Sequence, residues 1–281
     1  MLELEPHPTP RSPGRAALRR AVLVGLCALG ALGGCSGDDD TSDAETRSGG
    51  STTMTSDAAS SSEDPPPLED GRLEAGRYRF TLETEGAADL LDCPEGESSA
   101  PPLGIDLTVR SDDWEADLEF VLIAPSPEST DAPDGGALVM GWTTQWVGLN
   151  SDPCIPIGTP NGHLRPDTPI GPTVDDFVEA VLANPALDIT EPTDVSLGEH
   201  HGRFFTLTAP SDLSGCDNWR PWDPGFFAQG PGNIWDVWVM DVDGFRVLIV
   251  TDYFPDTSDE VKSGLREMAE SIRFAPPSLQ R

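Results

Sequence analysis

The sequence predicts an α+β domain, an antiparallel β-sheet with two main helices packed on it. Residues 234–242 and 245–253 are apolar runs flanking Asp243-Gly244, a two-residue hairpin signal. Most other ordered segments alternate or bunch apolar residues over the length of a strand. One segment midway and one at the end instead space their apolar residues at a helical period behind a capping signal. No internal repeat is visible.

The chain opens with an address. Arg11, Arg15, Arg19 and Arg20 precede residues 21–32, which are apolar or Gly throughout. A basic head, a short apolar core and small residues before a cleavage point make a signal peptide. The core is about 12 residues, short of the roughly 20 that a spanning helix needs. An uncleaved membrane helix and an ordinary signal peptide that happens to hold a cysteine are the alternatives. Leu32-Gly33-Gly34-Cys35 resembles the bacterial lipoprotein signal. The resemblance implies cleavage after residue 34 and a diacylglyceryl thioether on Cys35, usually with N-acylation. Two or more acyl chains hold where one does not. The expected location is the outer face of the cell membrane, with Cys35 as the lipid anchor. Cys27 lies in the discarded segment.

Residues 35–67 follow as lipidated cysteine and linker. From residue 36 they are Ser, Thr, Asp, Glu, Gly and Ala, with Arg47 as the one basic residue and Met54 as the one large apolar residue, ending in three prolines. No core forms from that composition, so a disordered tether is expected, reaching roughly 30 Å as a flexible coil. The run Asp38-Asp39-Asp40 reads as solvated charge.

A single globular domain is expected over residues 68–281. Tyr78, Phe80 and Leu82 alternate with polar neighbours, as do Ile105, Leu107 and Val109, and both stretches predict half-buried strands. Residues 118–124 predict a more buried strand, and residues 137–149 another. Thr173, with Asp176 three positions on, opens a helix whose apolar face is Val174, Phe177, Val178, Val181 and Leu182; Asn184-Pro185 ends it. Strands around residues 195–197 and 204–207 flank a turn from Gly198 to Gly202. Residues 210–233 read as a long irregular segment. After the hairpin, Thr257 with Glu260 caps a last helix, faced by Val261, Leu265, Met268, Ala269 and Ile272.

Formal net charge is −32; residues 1–34 hold two glutamates and four arginines, so the mature chain carries −34. Such a chain repels nucleic acid and anionic headgroups, and nucleic acid is excluded as a partner. Solubility explains the acidity better than an acidic partner site. The mature cysteines are Cys35, Cys93, Cys154 and Cys216; with Cys35 lipidated, one disulfide and one spare thiol are expected in an oxidising compartment.

No HExxH, GxSxG, GxGxxG or P-loop string is present. Asp241-Val242-Asp243-Gly244 starts like a calcium loop but has Phe245 where a ligand belongs. His200 and His201 are adjacent and would point to opposite faces on a strand, so they do not easily share one metal ion, and they read as part of a polar turn. No metal site, cofactor or catalytic set is assigned. Trp219, Trp222, Phe226 and Phe227 crowd the Pro/Gly-rich segment, where strand alternation does not explain them. They are either core beneath a long loop or a stacking surface for a ligand or partner; the expectation carried forward is the contact surface.

The strings DPC (152–154), GPTVDDF (171–177), PTDVSLG (192–198), QGPG (229–232), DVDG (241–244), YFPDTS (253–258) and ESI (270–272) resemble, in this order, a group of uncharacterised actinobacterial lipoproteins. The strand, strand, helix ending is also similar to PsbP-like domains. The resemblance brings no catalytic residue with it. Cys154 and Cys216 lie in the stretch it covers, both in irregular segments beside predicted strands, and are expected to pair, leaving Cys93 free. The resulting functional expectation is a lipid-anchored, non-enzymatic binding or interaction module with an envelope protein or glycan as ligand. A cell-envelope hydrolase with residues scattered in sequence, and a purely structural envelope protein, are the rivals.

Overall fold

A computed structural model describes residues 64–82, 102–118, 122–125, 135–143, 148–159, 166–223 and 227–275. The anchor at Cys35, most of the tether, Cys93 and Phe226 lie outside the described residues. The first strands are β1 (Gly71–Leu73), β2 (Gly76–Leu82), β3 (Leu103–Val109), β4 (Trp114–Asp117), β5 (Leu122–Ala124) and β6 (Gly136–Thr143). Three short strands follow, β7 (Gly148–Leu149), β8 (Cys154–Pro156) and β9 (Thr168–Pro169), before helix α1 (Val174–Ala183). Then come β10 (Asp188–Ile189), β11 (Thr193–Leu197), β12 (His200–Thr208), β13 (Cys216–Trp219) and β14 (Trp222–Asp223). The chain closes with β15 (Ile234–Val242), β16 (Phe245–Tyr253), helix α2 (Asp259–Ser271) and β17 (Arg273–Ala275).

Nine strands form the main sheet in the order β1-β4-β5-β6-β16-β15-β12-β10, with β11 also on β12. Its pairings are antiparallel. Three smaller sheets accompany it: β17-β3-β2, β14-β7-β9 and the pair β13-β8. The expectation of one sheet with two helices is therefore right in class and too simple in architecture. Strand takes 48% of the described residues against 14% for helix, so sheet dominates the fold.

Strand alternation gives the main sheet two apolar faces. Trp238, Met240, Val242, Val247 and Ile249 point to one side, against α2 (Leu265, Met268, Ala269) and the β3 side chains Ile105, Leu107 and Val109. Trp235, Val237, Val239, Leu248 and Val250 point to the other, against α1 (Phe177, Val178, Val181) and the loops that carry Trp219 and Trp222.

The β15–β16 hairpin has the anticipated bounds and register, Ile234↔Tyr253 to Val242↔Phe245. Asp243 (φ 55°) and Gly244 (φ 84°) both lie in the left-handed region, as a type I′ turn requires. Helix α1 starts on the anticipated capping box: Asp176 N donates to Thr173 Oγ1 (3.1 Å) and Thr173 N donates to Asp176 Oδ2 (2.9 Å).

Several elements differ. Leu182, expected on the buried face of α1, is 51% exposed, while Val181 beside it in the same turn is 1% exposed and takes the buried face. The turn after β11 is tighter than anticipated, and His200 and His201 belong to β12. Ser258, not Thr257, caps α2 by accepting from Val261 N. The Thr257 hydroxyl donates to Gly135 O (2.5 Å) and accepts from Phe254 N (2.9 Å), tertiary bonds that a local pattern does not encode. Strand β4 had no expectation attached to it.

Candidate functional site

The segment around residues 210–233 is less irregular than its composition suggests. Cys216, Asn218 and Trp219 of β13 pair with Pro156, Ile155 and Cys154 of β8, across a bulge. A disulfide joins Cys154 to Cys216 with their Cα atoms 5.1 Å apart, the pairing expected. Beyond it, Trp222 and Asp223 of β14 pair with Leu149 and Gly148 of β7.

Two buried amides lock this corner together. Asn150 N donates to Pro221 O (3.0 Å) and Asn150 Nδ2 to Arg220 O (2.8 Å). Asn184, at the end of α1, gives its Nδ2 to Asn150 O (3.0 Å). Arg220 N donates to Pro153 O and Ala228 N to Trp219 O, at 2.8 and 2.9 Å. Buried backbone groups with no strand partner are satisfied in this way, as they must be.

The aromatic residues divide. Trp219 and Trp222 are 2% and 1% exposed. Each meets Trp235 of β15 edge-on, at 5.9 and 5.5 Å between ring centroids, and Phe177 of α1 meets Trp222 at 5.4 Å. Edge-to-face packing of this kind belongs to a core. The expected stacking surface is thereby corrected for Trp219 and Trp222: the short strands fold them back onto the main sheet. Phe227 remains 40% exposed, with the Arg220 guanidinium 5.5 Å from its ring centre. Phe226 lies outside the described residues.

A depression of about 310 Å³ opens beside the disulfide. Pro153, Pro210, Leu213 and both half-cystines line it, with buried Trp219 at its base and exposed Asp152 and Asp212 at its rim. Each rim carboxylate closes a local turn, Asp152 Oδ1 accepting from Cys154 N (3.0 Å) and Asp212 Oδ1 from Ser214 N (2.9 Å). Hydrogen bonds from the Ser214 backbone and hydroxyl hold the Asp212 carboxyl below its ordinary range, so it is ionised at neutral pH. Around this corner sit the large apolar side chains exposed among the described residues. Ile157 (68%) follows β8 at the Cys216 end of the pair, Phe227 (40%) lies at the Trp219 end, and Leu182 (51%) is on the last turn of α1.

Other chemistry-bearing groups serve the scaffold. His200 packs edge-on against Phe274 at 5.2 Å, while His201 Nδ1 is 2.8 Å from Ser196 Oγ, so the two imidazoles do not converge. The Ser196–His201 pair is solvent-exposed, and the contact is to Nδ1, the nitrogen that a triad carboxylate would hold. Among the described residues no group of three or more His, Cys, Asp or Glu is placed to hold a metal ion. On the α2 side, buried Asp236 receives Arg266 (2.6 Å), Thr206 Oγ1 (2.8 Å) and Tyr253 OH (3.4 Å), and burial together with that carboxylate pushes the Tyr253 hydroxyl up to about 12. Arg246 gives its Nη1 to Gly171 O (2.6 Å) and Thr173 O (2.9 Å) ahead of α1; burial brings its guanidinium down to about 10.

The sequence singled out the disulfide and Phe227. It missed Pro210, Leu213, Asp152 and Asp212. The Asp-x-Cys and Asp-x-Ser spacings were a local turn signal, but that the two turns meet follows only from the β8–β13 pairing. Comparison with known families, curated proteins and solved structures finds no match. Among the described residues no helix is long and apolar enough to cross a membrane.

Proposed function

We propose that this chain is a binding module of the cell envelope, held on the outer face of the membrane by lipid on Cys35, and that it meets its partner at the disulfide-braced corner. The arginines, short apolar core and Leu-Gly-Gly-Cys string support the anchor. The likeness to uncharacterised actinobacterial lipoproteins agrees with that location. One observation carries the binding reading: Ile157 and Phe227 stand exposed at the two ends of the cross-linked β8–β13 strand pair, with the depression and its carboxylate rim beside it. A cross-linked, amide-clamped surface loses little conformational entropy on binding. Apolar walls and a negative rim suit a neutral or cationic partner, an envelope protein or a glycan. The hydrolase and structural readings have no described arrangement in their favour.

The test is capture by the full-length detergent-solubilised protein, compared with an Ile157→Ser/Phe227→Ser variant. Both residues are exposed, so the melting temperature should stay within about 2 °C. Loss of the captured envelope component at unchanged stability is expected. Equal capture by the variant would remove the corner from consideration.

A further inference from the structure

Asp252 of β16 is wholly buried, on the face that carries Val250 and Leu248. Its register partners are Trp235 and Ala137. The Trp235 indole N–H is already given to Asn233 Oδ1 (2.7 Å). One carboxyl oxygen, Oδ2, has a long contact from Asn233 Nδ2 at 3.4 Å, and the other, Oδ1, has no hydrogen-bond partner.

The charged groups on the elements packed around it are engaged elsewhere. Arg246, six residues earlier on the same face, holds the Gly171 and Thr173 carbonyls. Arg203 of β12 pairs with Asp194 and faces Asp175 of α1. Arg220 lies over Phe227, and Asp236 of β15 binds Arg266 of α2 on the opposite side of the sheet, where Lys262 lies over the Tyr253 ring. The β6 residues opposite, Ala137 to Val139, carry no charge. Asp212, Asp217, Asp175, Asp176 and Glu179 on the covering loops and α1 add only negative charge.

Asn233, also wholly buried, joins this carboxyl to the loops. Its Nδ2 donates to Tyr253 O (3.0 Å), its Oδ1 accepts from Gln229 N (3.2 Å), and its backbone carbonyl accepts from Ala209 N (2.8 Å). Gly232 N donates to Pro210 O (2.9 Å). The same clamp thus holds Pro210, a wall of the depression, and the strand of chain that follows Phe227.

We infer that Asp252 is a pH-sensitive latch: as a neutral acid it lies quietly beneath the Asn233 clamp, and on losing its proton to solvent it draws in water and loosens the loops that the clamp holds. Burial in an apolar surround pushes the carboxyl up to about 7; the Asn233 amide and the backbone amides of Ala137 and Asp252 oppose this and do not cancel it. In the unfolded chain the group titrates near 3.8. Its folded value is raised, so its stabilising contribution is full below the unfolded value and is lost as pH rises toward about 7.

The test uses the full chain in detergent over pH 5 to 8.5, wild type beside Asp252→Asn, with melting temperature and amide exchange of the peptide over residues 227–233. The melting temperature of the variant relative to wild type should rise from pH 5 to about 7 and level off above that. Exchange in that peptide, corrected for intrinsic rate, should accelerate by about tenfold or more in wild type alone. A pH-independent difference between the two proteins overturns the latch. Should the variant not fold, carbon-13 NMR of wild type labelled at aspartate carboxyls decides. An aspartate titrating near neutrality is expected, and none above pH 6 overturns the proposal. Neither readout depends on the binding reading of the corner.

Discussion

At the residue scale, Gly264 shows how a single atom sets the fit of helix to sheet. A Cβ there would come 2.5 Å from Cζ2 of the Trp114 ring, so α2 rests on β4 at glycine distance. Alanine favours a helix over glycine by about 1 kcal/mol, yet pressing a methyl into a closed contact costs about 1–3 kcal/mol. Because the indole is ring carbon in a buried pocket, the clash should win: Gly264→Ala should lower stability by up to about 2 kcal/mol in a denaturant titration. A stabilised variant would show that the ring gives way. The helical period of α2 is legible in the sequence at Val261, Leu265 and Met268, but the reason for its glycine is not. The neighbour that explains it is far away in the chain, on a strand without a strong pattern of its own. Thr257 makes the same point. Two adjacent hydroxyl residues both suit a cap, and a tertiary bond to Gly135 decides between them.

At the scale of elements, legibility follows locality. The β15–β16 hairpin is fixed by alternation and by Asp243-Gly244, all within one segment, and its register is as the sequence predicts. The corner is different. Its partners, residues 148–156 and 216–223, are short and distant, so Trp219 and Trp222 look unexplained until β7 and β8 are paired with them. Only the disulfide could be anticipated there. Its sequence separation of 62 residues corresponds to about 4 kcal/mol in the chain-entropy treatment. A Cys154→Ala/Cys216→Ala variant should therefore lose about 2–4 kcal/mol, roughly 5–15 °C in melting temperature. A peptide map of the native protein should show those two cysteines linked. Pairing of Cys93 with either of them would contradict the assignment.

At the scale of the whole molecule, two features of the proposal act together, an acidic body that carries −34 after the proposed cleavage and the proposed lipid on Cys35. Repulsion from anionic headgroups leaves the acyl chains to do the holding. Cys35→Ser should accordingly stay unprocessed or leave the membrane fraction, and a processed, membrane-bound variant would refute the anchor. The class of the fold is readable because it rests on local patterns, and the proposed anchor rests on a local pattern too. The proposed binding corner was readable only in part, since it is assembled from β8, β13, the end of α1 and the segment at Phe227. The most direct test of that corner is photo-crosslinking in intact cells. A photoreactive side chain is placed in turn at Ile157, at Phe227 and, as a control, at exposed Glu260 on α2, against the opposite face of the main sheet. The account predicts one adduct of the same mass from positions 157 and 227 and none from position 260. An adduct from Glu260 alone, or none from the corner while the anchored protein is intact, would contradict it.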